Sequence, residues 1–157
     1  MTRKPSYSSP PVDSVDPKAV LEVCLCHGVR RASRAITRTF DAALAPSGLT
    51  SGQFGILAAV AALQSMPVPV LRGVLAMDRT SLNRTLKPME VNGLVAIVPG
   101  AGRRASQVEI TPEGLQAFRE AGPLWRAAQS DAAERLGTAR IGQLIAGLDV
   151  ATGLFDQ

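Results

Sequence analysis

Residues 77–90 read MDRTSLNRTLKPME. Between Asp78 and Glu90 the only large apolar side chains are Leu82, Leu86 and Met89, spaced i, i+4 and i+7, which is one narrow helical stripe. The rest of that surface includes Arg79, Thr80, Ser81, Asn83, Arg84, Thr85 and Lys87, short hydrogen-bonding side chains mixed with cations and without an acid. A helix anchored by one thin apolar edge and presenting this mixture on the other is suited to a polyanion whose edges carry hydrogen-bonding groups.

The neighbouring segments give that helix a setting. Asp78 is its N-cap, and Asn92-Gly93 is a left-handed stop. A short helix carrying Leu71, Arg72, Val74 and Leu75 precedes it, after a break at Met66-Pro67. Farther upstream, Thr50 and Gln53 form a T-x-x-Q capping box that opens a helix running through Leu63. After Gly93 the period changes from 3.6 to 2: Val95 and Ile97, then PGAGRRAS, then Val108 and Ile110, read as two strands joined by a glycine-rich loop tipped with Arg103 and Arg104. Thr111-Pro112-Glu113 caps a further helix with Leu115, Phe118, Leu124 and Trp125, for which Gly122-Pro123 predicts a kink or break. A last helix from about Thr138 carries Ile141, Leu144, Ile145, Leu148 and Ala151.

At the N-terminal end, residues 1–15 hold three prolines and a serine-rich run and are expected to form a flexible arm. Asp16 as N-cap and Pro17 at the first helical position open a helix expected to continue to Ala45, where Pro46 and Gly48 end it. Its apolar stripe is Leu21, Leu25, Val29, Ala32, Ile36, Phe40 and Ala43, and His27, Arg31, Arg34 and Arg38 lie opposite. About 28 residues of helix span roughly 40 Å, more than a small domain covers by itself. Apolar faces at both ends of the chain without an evident internal partner imply burial against a second copy.

Composition agrees with this reading. The 157 residues are 46% hydrophobic, enough for a globular domain with appendages, and the net charge is +4. Six cations (Arg72, Arg79, Arg84, Lys87, Arg103, Arg104) against two acids between Arg72 and Arg104 leave that segment at +4, so the remainder is neutral. The N-terminus has no apolar core suited to a signal peptide, and the longest apolar run, Gly55 to Leu63, is too short to span a bilayer; a cytoplasmic location without membrane association is expected. Cys24 and Cys26, placed on a continuous helix, would point roughly 200° apart and not pair readily, which fits a reducing compartment.

The order of elements defines the fold class: mainly α with a small two- or three-stranded β-wing, a winged helix-turn-helix with dimerisation helices from both termini. Residues 49–111 form the expected DNA-binding domain, and 16–48 with 112–157 the dimerisation region. The expected DNA-binding residues are Arg72, Arg79, Thr80, Ser81, Asn83, Arg84, Lys87, Arg103 and Arg104, with arginine suited to guanine O6 and N7, lysine to phosphate, and the hydroxyls to close approach.

The chain resembles the MarR family of bacterial transcription regulators from about Cys24 to Leu148, in GLTSGQFGILAAV, MDRTSLNRTLKPMEVNGLV and RRASQVEITPEG, met in that order. The resemblance implies a homodimer with interlocking terminal helices, a pseudo-palindromic operator in double-stranded DNA, repression, and release by a small ligand or an oxidant. Two departures stand out. The family's wing carries Asp-x-Arg; Arg104 matches the arginine, but Gly102 stands where the acid is expected. The family's peroxide-sensing branch has a reactive cysteine eight residues ahead of an arginine, an offset that Cys26 has to Arg34, but Phe40 and Ser51 occupy the places of its activating tyrosines. His27 and the nearby arginines offer another means of favouring a Cys26 thiolate, and two small cysteines packing near a dimer interface is the plainer reading.

The remaining motifs suggest no catalytic chemistry and no cofactor. Gly100-Ala101-Gly102 lacks the GK[ST] of a phosphate loop and is read as a hairpin turn; Cys24, Cys26 and His27 diverge on a helix and lack a second ligand pair for zinc; His27 is the only histidine, with no nucleophile elbow to serve. An enzyme is not expected. His27, Arg31, Phe54 and Trp125 are candidates for an effector pocket that would suit an acidic aromatic or acyl-CoA-like ligand. A dimeric interaction module that has lost DNA binding, and a non-specific architectural DNA binder, remain the alternatives outside this class.

Overall fold

A computed structural model describes residues 16–100, 102 and 104–155. The expected arm at 1–15 and Arg103 lie outside the described residues. The chain divides into two compact units, the first ending at Thr39 and the second beginning at Phe40.

The first unit is helical. Helix α1 spans Pro17–Val23, with Asp16 Oδ1 accepting from the Lys18 N–H at 3.0 Å and proline in the first turn, as its sequence predicts. The long single helix expected from 16 to 45 is not formed. Cys24 takes φ −68° and ψ 114°, an extended conformation, and α2 runs from Leu25 to Leu44. Neither proline nor glycine marks the break; the Cys24 N–H still donates to Val20 O and its carbonyl accepts from the Gly28 N–H at 2.9 Å, so the residue ends one helix and caps the next. Cys24 and Cys26 therefore do not share one continuous helix, contrary to the expectation that set their thiols roughly 200° apart.

The second unit begins within α2. A 3-10 turn at Ala45–Ser47 and Gly48 at φ 72° end the helix, and Asp41 Oδ1 accepts from the Ser51 N–H (2.7 Å) and hydroxyl (2.6 Å) at the start of α3, Ser51–Leu63. The capping box is present: Thr50 Oγ1 accepts from Gln53 N–H at 3.2 Å, and Gln53 Oε1 from Thr50 N–H at 2.9 Å. Ser65–Pro67, expected only as a break, is strand β1; then come α4 (Val68–Val74), α5 (Arg79–Val91), β2 (Val95–Val98), β3 (Gln107–Ile110), α6 (Pro112–Leu136) and α7 (Thr138–Phe155). The sheet order is β1-β3-β2, all antiparallel, with Val95 opposite Ile110 and Met66 opposite Val108. Pro67 is tolerated because β1 is an edge strand.

Leu44, Ile56, Leu57, Val60, Leu71, Leu82, Leu86, Met89, Val95, Val108 and Ala121 form one buried cluster beneath the sheet and helices. Helix α6 runs continuously through Pro123, so of the expected kink or break the break does not occur, although proline removes the hydrogen bond to the Arg119 carbonyl. Buried Ala121 and Ala128 on either side pin the helix to the unit. No helix among the described residues is long and apolar enough to cross a membrane.

Candidate nucleic-acid interface

Three apolar side chains fix the orientation of α5. Leu82, Leu86 and Met89 are buried, so the opposite ridge, Thr80, Arg84 and Lys87, is turned to solvent together with Arg79 and Asn83 on its flank. The start of α5 is held by Asp78, whose carboxylate accepts from the Ser81 N–H at 2.9 Å and from its hydroxyl at 2.6 Å. These bonds, the hydroxyl's first and then the backbone's, lower the Asp78 pKa from its ordinary 3.8. Ser81 is thereby committed to the cap and half-buried, in contrast to the exposed Thr80 expected beside it as a DNA contact.

The turn between α4 and α5 is tight. The Leu75, Ala76 and Met77 N–H groups donate to Leu71, Gly73 and Arg72 carbonyls at 3.0–3.1 Å, and Ala76 is held at φ 47°, the left-handed region that an alanine rarely occupies. Arg72 is exposed on the last turn of α4. Between this turn, α5 and the hairpin lies a cleft of about 460 Å³ whose lining includes Arg72, Arg79, Asn83 and Ser106.

The wing hangs on β2 and β3. Its strand β3 is tied to the α3–α4 connection at both ends, Ile110 N–H to Gln64 O at 3.3 Å and Val68 N–H to Ser106 O at 2.9 Å. A Cβ at Gly100 would lie 2.6 Å from the Arg104 carbonyl carbon, so the glycine permits the two strands' ends to close; this is hairpin geometry, as expected for GAG. Gly102 has φ 63° and Arg104 is exposed. The one ion pair among the described residues is Arg135–Asp131 at 2.9 Å on α6, so Arg72, Arg79, Arg84, Lys87 and Arg104 have no carboxylate partner there.

The expected effector residues separate into two sets. His27, half-buried, and Arg31, exposed, belong to the first unit, as do half-buried Cys24 and exposed Cys26. Phe54 and Trp125 come together in the second: their rings stack with centroids 6.0 Å apart, and Phe118 stacks on Phe54 at 4.9 Å. With Arg119, Gly122 and Arg126 they line a cleft of about 380 Å³, open to solvent at Trp125, which is 39% exposed. Phe118, Arg119 and Arg126 were not among the expected effector residues, although their spacing with Trp125 at i, i+1, i+7 and i+8 signals a single helical face. No cluster of three His, Cys, Asp or Glu side chains suited to a metal occurs among the described residues.

Comparison with known proteins gives this geometry a context. No protein-family model matches the chain. It is 27% identical over 96 residues, 61% of its length and 70% of the relative's, to the uncharacterized HTH-type transcriptional regulator YwoH of Bacillus subtilis (strain 168). It is similar in structure to a MarR mutant from E. coli complexed with operator DNA (TM-score 0.73, 20% identity, 84% and 96% of the two chains), a likeness of fold. The M. tuberculosis transcriptional regulator MosR in complex with DNA is 36% identical, with TM-score 0.74, over 83% of this chain and 97% of that one. With that identity across a whole regulator, and with the helix-turn-helix and wing in place, the chain belongs to the MarR family of transcriptional regulators, DNA-binding proteins and not enzymes.

Proposed function

We propose that the protein is a cytoplasmic repressor that binds a pseudo-palindromic operator as a homodimer and is released by a small anionic aromatic effector. The observation that carries the reading is the solvent-facing ridge Thr80–Arg84–Lys87, held outward by Leu82, Leu86 and Met89 and flanked by Arg72, Arg79 and Arg104, which have no carboxylate partner among the described residues. Arg103 joins this set by its place in the sequence. In this reading residues 49–111 touch DNA, while 16–48 and 112–157 form the dimer. Support for the dimer comes from exposed apolar faces on each unit: Leu21 and Leu25 (63% exposed) on α1 and α2, and Leu144, Ile145, Leu148, Leu154 and Phe155 (75%) on α7.

The Phe54–Phe118–Trp125 shelf is suited to a flat apolar ring, and Arg119 and Arg126 beside it to a carboxylate or phosphate. His27 and Arg31, in the first unit, remain candidates. Selection of a preferred duplex from a random pool, followed by titration of that duplex and a scrambled one at matched salt, tests the reading. Preference for the selected duplex, relieved by an aromatic acid in the wild type and not in Trp125→Ala, is the expected result. Equal affinity for both duplexes would leave an architectural binder, and no affinity for either an interaction module.

A thiol-based release mechanism is a second reading, favoured by one feature: the helix opens at Cys24, two residues from the exposed Cys26. Peroxide should then release the protein from its operator, and Cys26→Ser should abolish that response while leaving binding intact. Unchanged affinity after peroxide treatment rejects it.

A further inference from the structure

The exit of α5, the recognition helix of the proposed function, and the entry of α6 are locked at one point. The Thr111 hydroxyl donates to Gly93 O at 2.6 Å and lies 3.1 Å from Leu94 O, while the Thr111 N–H donates to Leu94 O at 3.3 Å. A hydroxyl has one proton, and the shorter contact takes it, so the two consecutive carbonyls after α5 are each held by a different donor of the same residue. In return the Gly114 N–H donates to Thr111 Oγ1 at 2.9 Å, which makes Thr111 the cap of α6 as well. Gly114 closes the joint. It is buried, a Cβ there would overlap the Leu94 carbonyl oxygen, and it would stand 2.8 Å from the carbonyl carbon and 3.2 Å from Ile110 Cγ1. The obstructing atoms are largely backbone and cannot rotate away. The φ of Gly114 is not in the left-handed region, so close approach and not backbone conformation demands the glycine.

This joint is also the neck of the wing, since Val95 and Ile110 next to it are paired across β2 and β3. Recognition helix, hairpin and α6 all meet there. We propose that the Thr111–Gly114 joint is the positioning element that sets the angle between α5 and α6, and through it the half-site spacing that the regulator reads. The inference rests on the homodimer reading above, in which α6 belongs to the dimerisation region. A 25-residue α6 extends about 37 Å from the joint. Arg84 lies nine residues before Gly93, about 13 Å along the recognition helix, so a displacement at the joint acts on it through a lever. Half-sites are read about one helical turn, 34–36 Å, apart, and adding one base pair moves a half-site by about 3.4 Å and rotates it by about 35°. A shift of about an ångström at the pivot is therefore comparable, at the reading head, with part of a base-pair step.

The test uses the full-length protein and duplexes built from its selected operator: the native spacing, spacings one base pair shorter and longer, and an isolated half-site. Gly114→Ala is expected to bind the isolated half-site within about twofold of the wild type, to lose about tenfold or more on the native spacing, and to lose less on one of the altered spacings. Thr111→Val, which keeps shape and removes the hydroxyl, should shift the profile in the same manner if Gly114→Ala does not fold, and Thr111→Ser should restore it. Equal losses on every duplex, the isolated half-site included, would mark a merely structural role and overturn the proposal, as would an unchanged profile in folded Thr111→Val. A wild type without spacing preference would overturn it together with the dimer reading, whereas a spacing-dependent wild type beside unaltered variants would overturn this inference alone.

Discussion

At the scale of single residues, Arg84 and Ala76 show how position decides what a side chain does. Arg84 is exposed about one and a half turns into α5 on the side away from Leu82 and Leu86, where a guanidinium can reach a base edge. Arg84→Ala should cost about 1 to 3 kcal/mol per half-site on the selected operator and much less on scrambled DNA, measured by titration at fixed salt. Ala76 is held at φ 47° by the helix-turn-helix bonds around it. A left-handed alanine costs roughly 1–2 kcal/mol, and a glycine loses about 0.4–1 kcal/mol through the freedom it adds to the unfolded chain. The first effect is larger, so Ala76→Gly should stabilise the protein by about 0.5–1 kcal/mol in denaturant unfolding, with operator preference retained. The strain at Ala76 could not be read from the sequence, because alanine carries no signal of a left-handed turn.

At the scale of elements, the N-terminus of α5 and the wing respond to different variables. The Asp78 pKa is lowered in the folded protein, so its cap contributes fully above the unfolded value of 3.8 and is lost as pH falls through the lower, folded value. Asp78→Asn, compared with the wild type by helicity across an acid titration, should therefore flatten the fall in stability below pH 3.8 and leave a smaller difference between the two proteins there than at neutral pH. The wing responds to salt. Arg104 is exposed next to a positive-φ glycine, and Gly102 stands where a bracing acid is expected. Arg104→Ala removes one cation per subunit, and in a dimer it should lower the magnitude of the log K against log salt slope by roughly 1.8 if both neutralise phosphate. Discrimination between operator and scrambled DNA should fall less than in Arg84→Ala. An unchanged slope would mean that Arg104 does not meet the backbone.

At the scale of the whole molecule, α1, α2 and α7 each expose large apolar side chains. Leu21 and Leu25 in the first unit and Leu144, Leu148 and Leu154 in the second are exposed, and in the proposed homodimer these faces would be covered by the second copy; an obligate interface does not leave a stable monomer. The protein should sediment as a dimer down to micromolar concentration, and Leu144→Glu with Leu148→Glu should dissociate it and abolish operator binding. A folded wild-type monomer at micromolar concentration would end the dimer reading.

Local chemistry was enough to announce most of this architecture. Thr50 and Gln53, Asp78 and Gly93, the change of period after Gly93, and Thr111-Pro112 mark element ends because caps and left-handed stops satisfy backbone groups within a few residues of themselves. The stripe Leu82, Leu86 and Met89 likewise placed the solvent-facing ridge of α5, since burying one side of a helix exposes the other. Long-range contacts decided the rest. Ser65–Pro67 becomes a strand only because β3 offers it partners, three residues being too short for any periodic signal. Helix α6 passes through Pro123 because the packing of Ala121 and Ala128 outweighs one missing hydrogen bond. The break at Cys24 has no local breaker to announce it, and the aromatic cleft and the Thr111–Gly114 joint exist only where residues distant in the chain meet. A sequence states what each segment prefers; which carbonyl a glycine must clear is known only once the segments have packed.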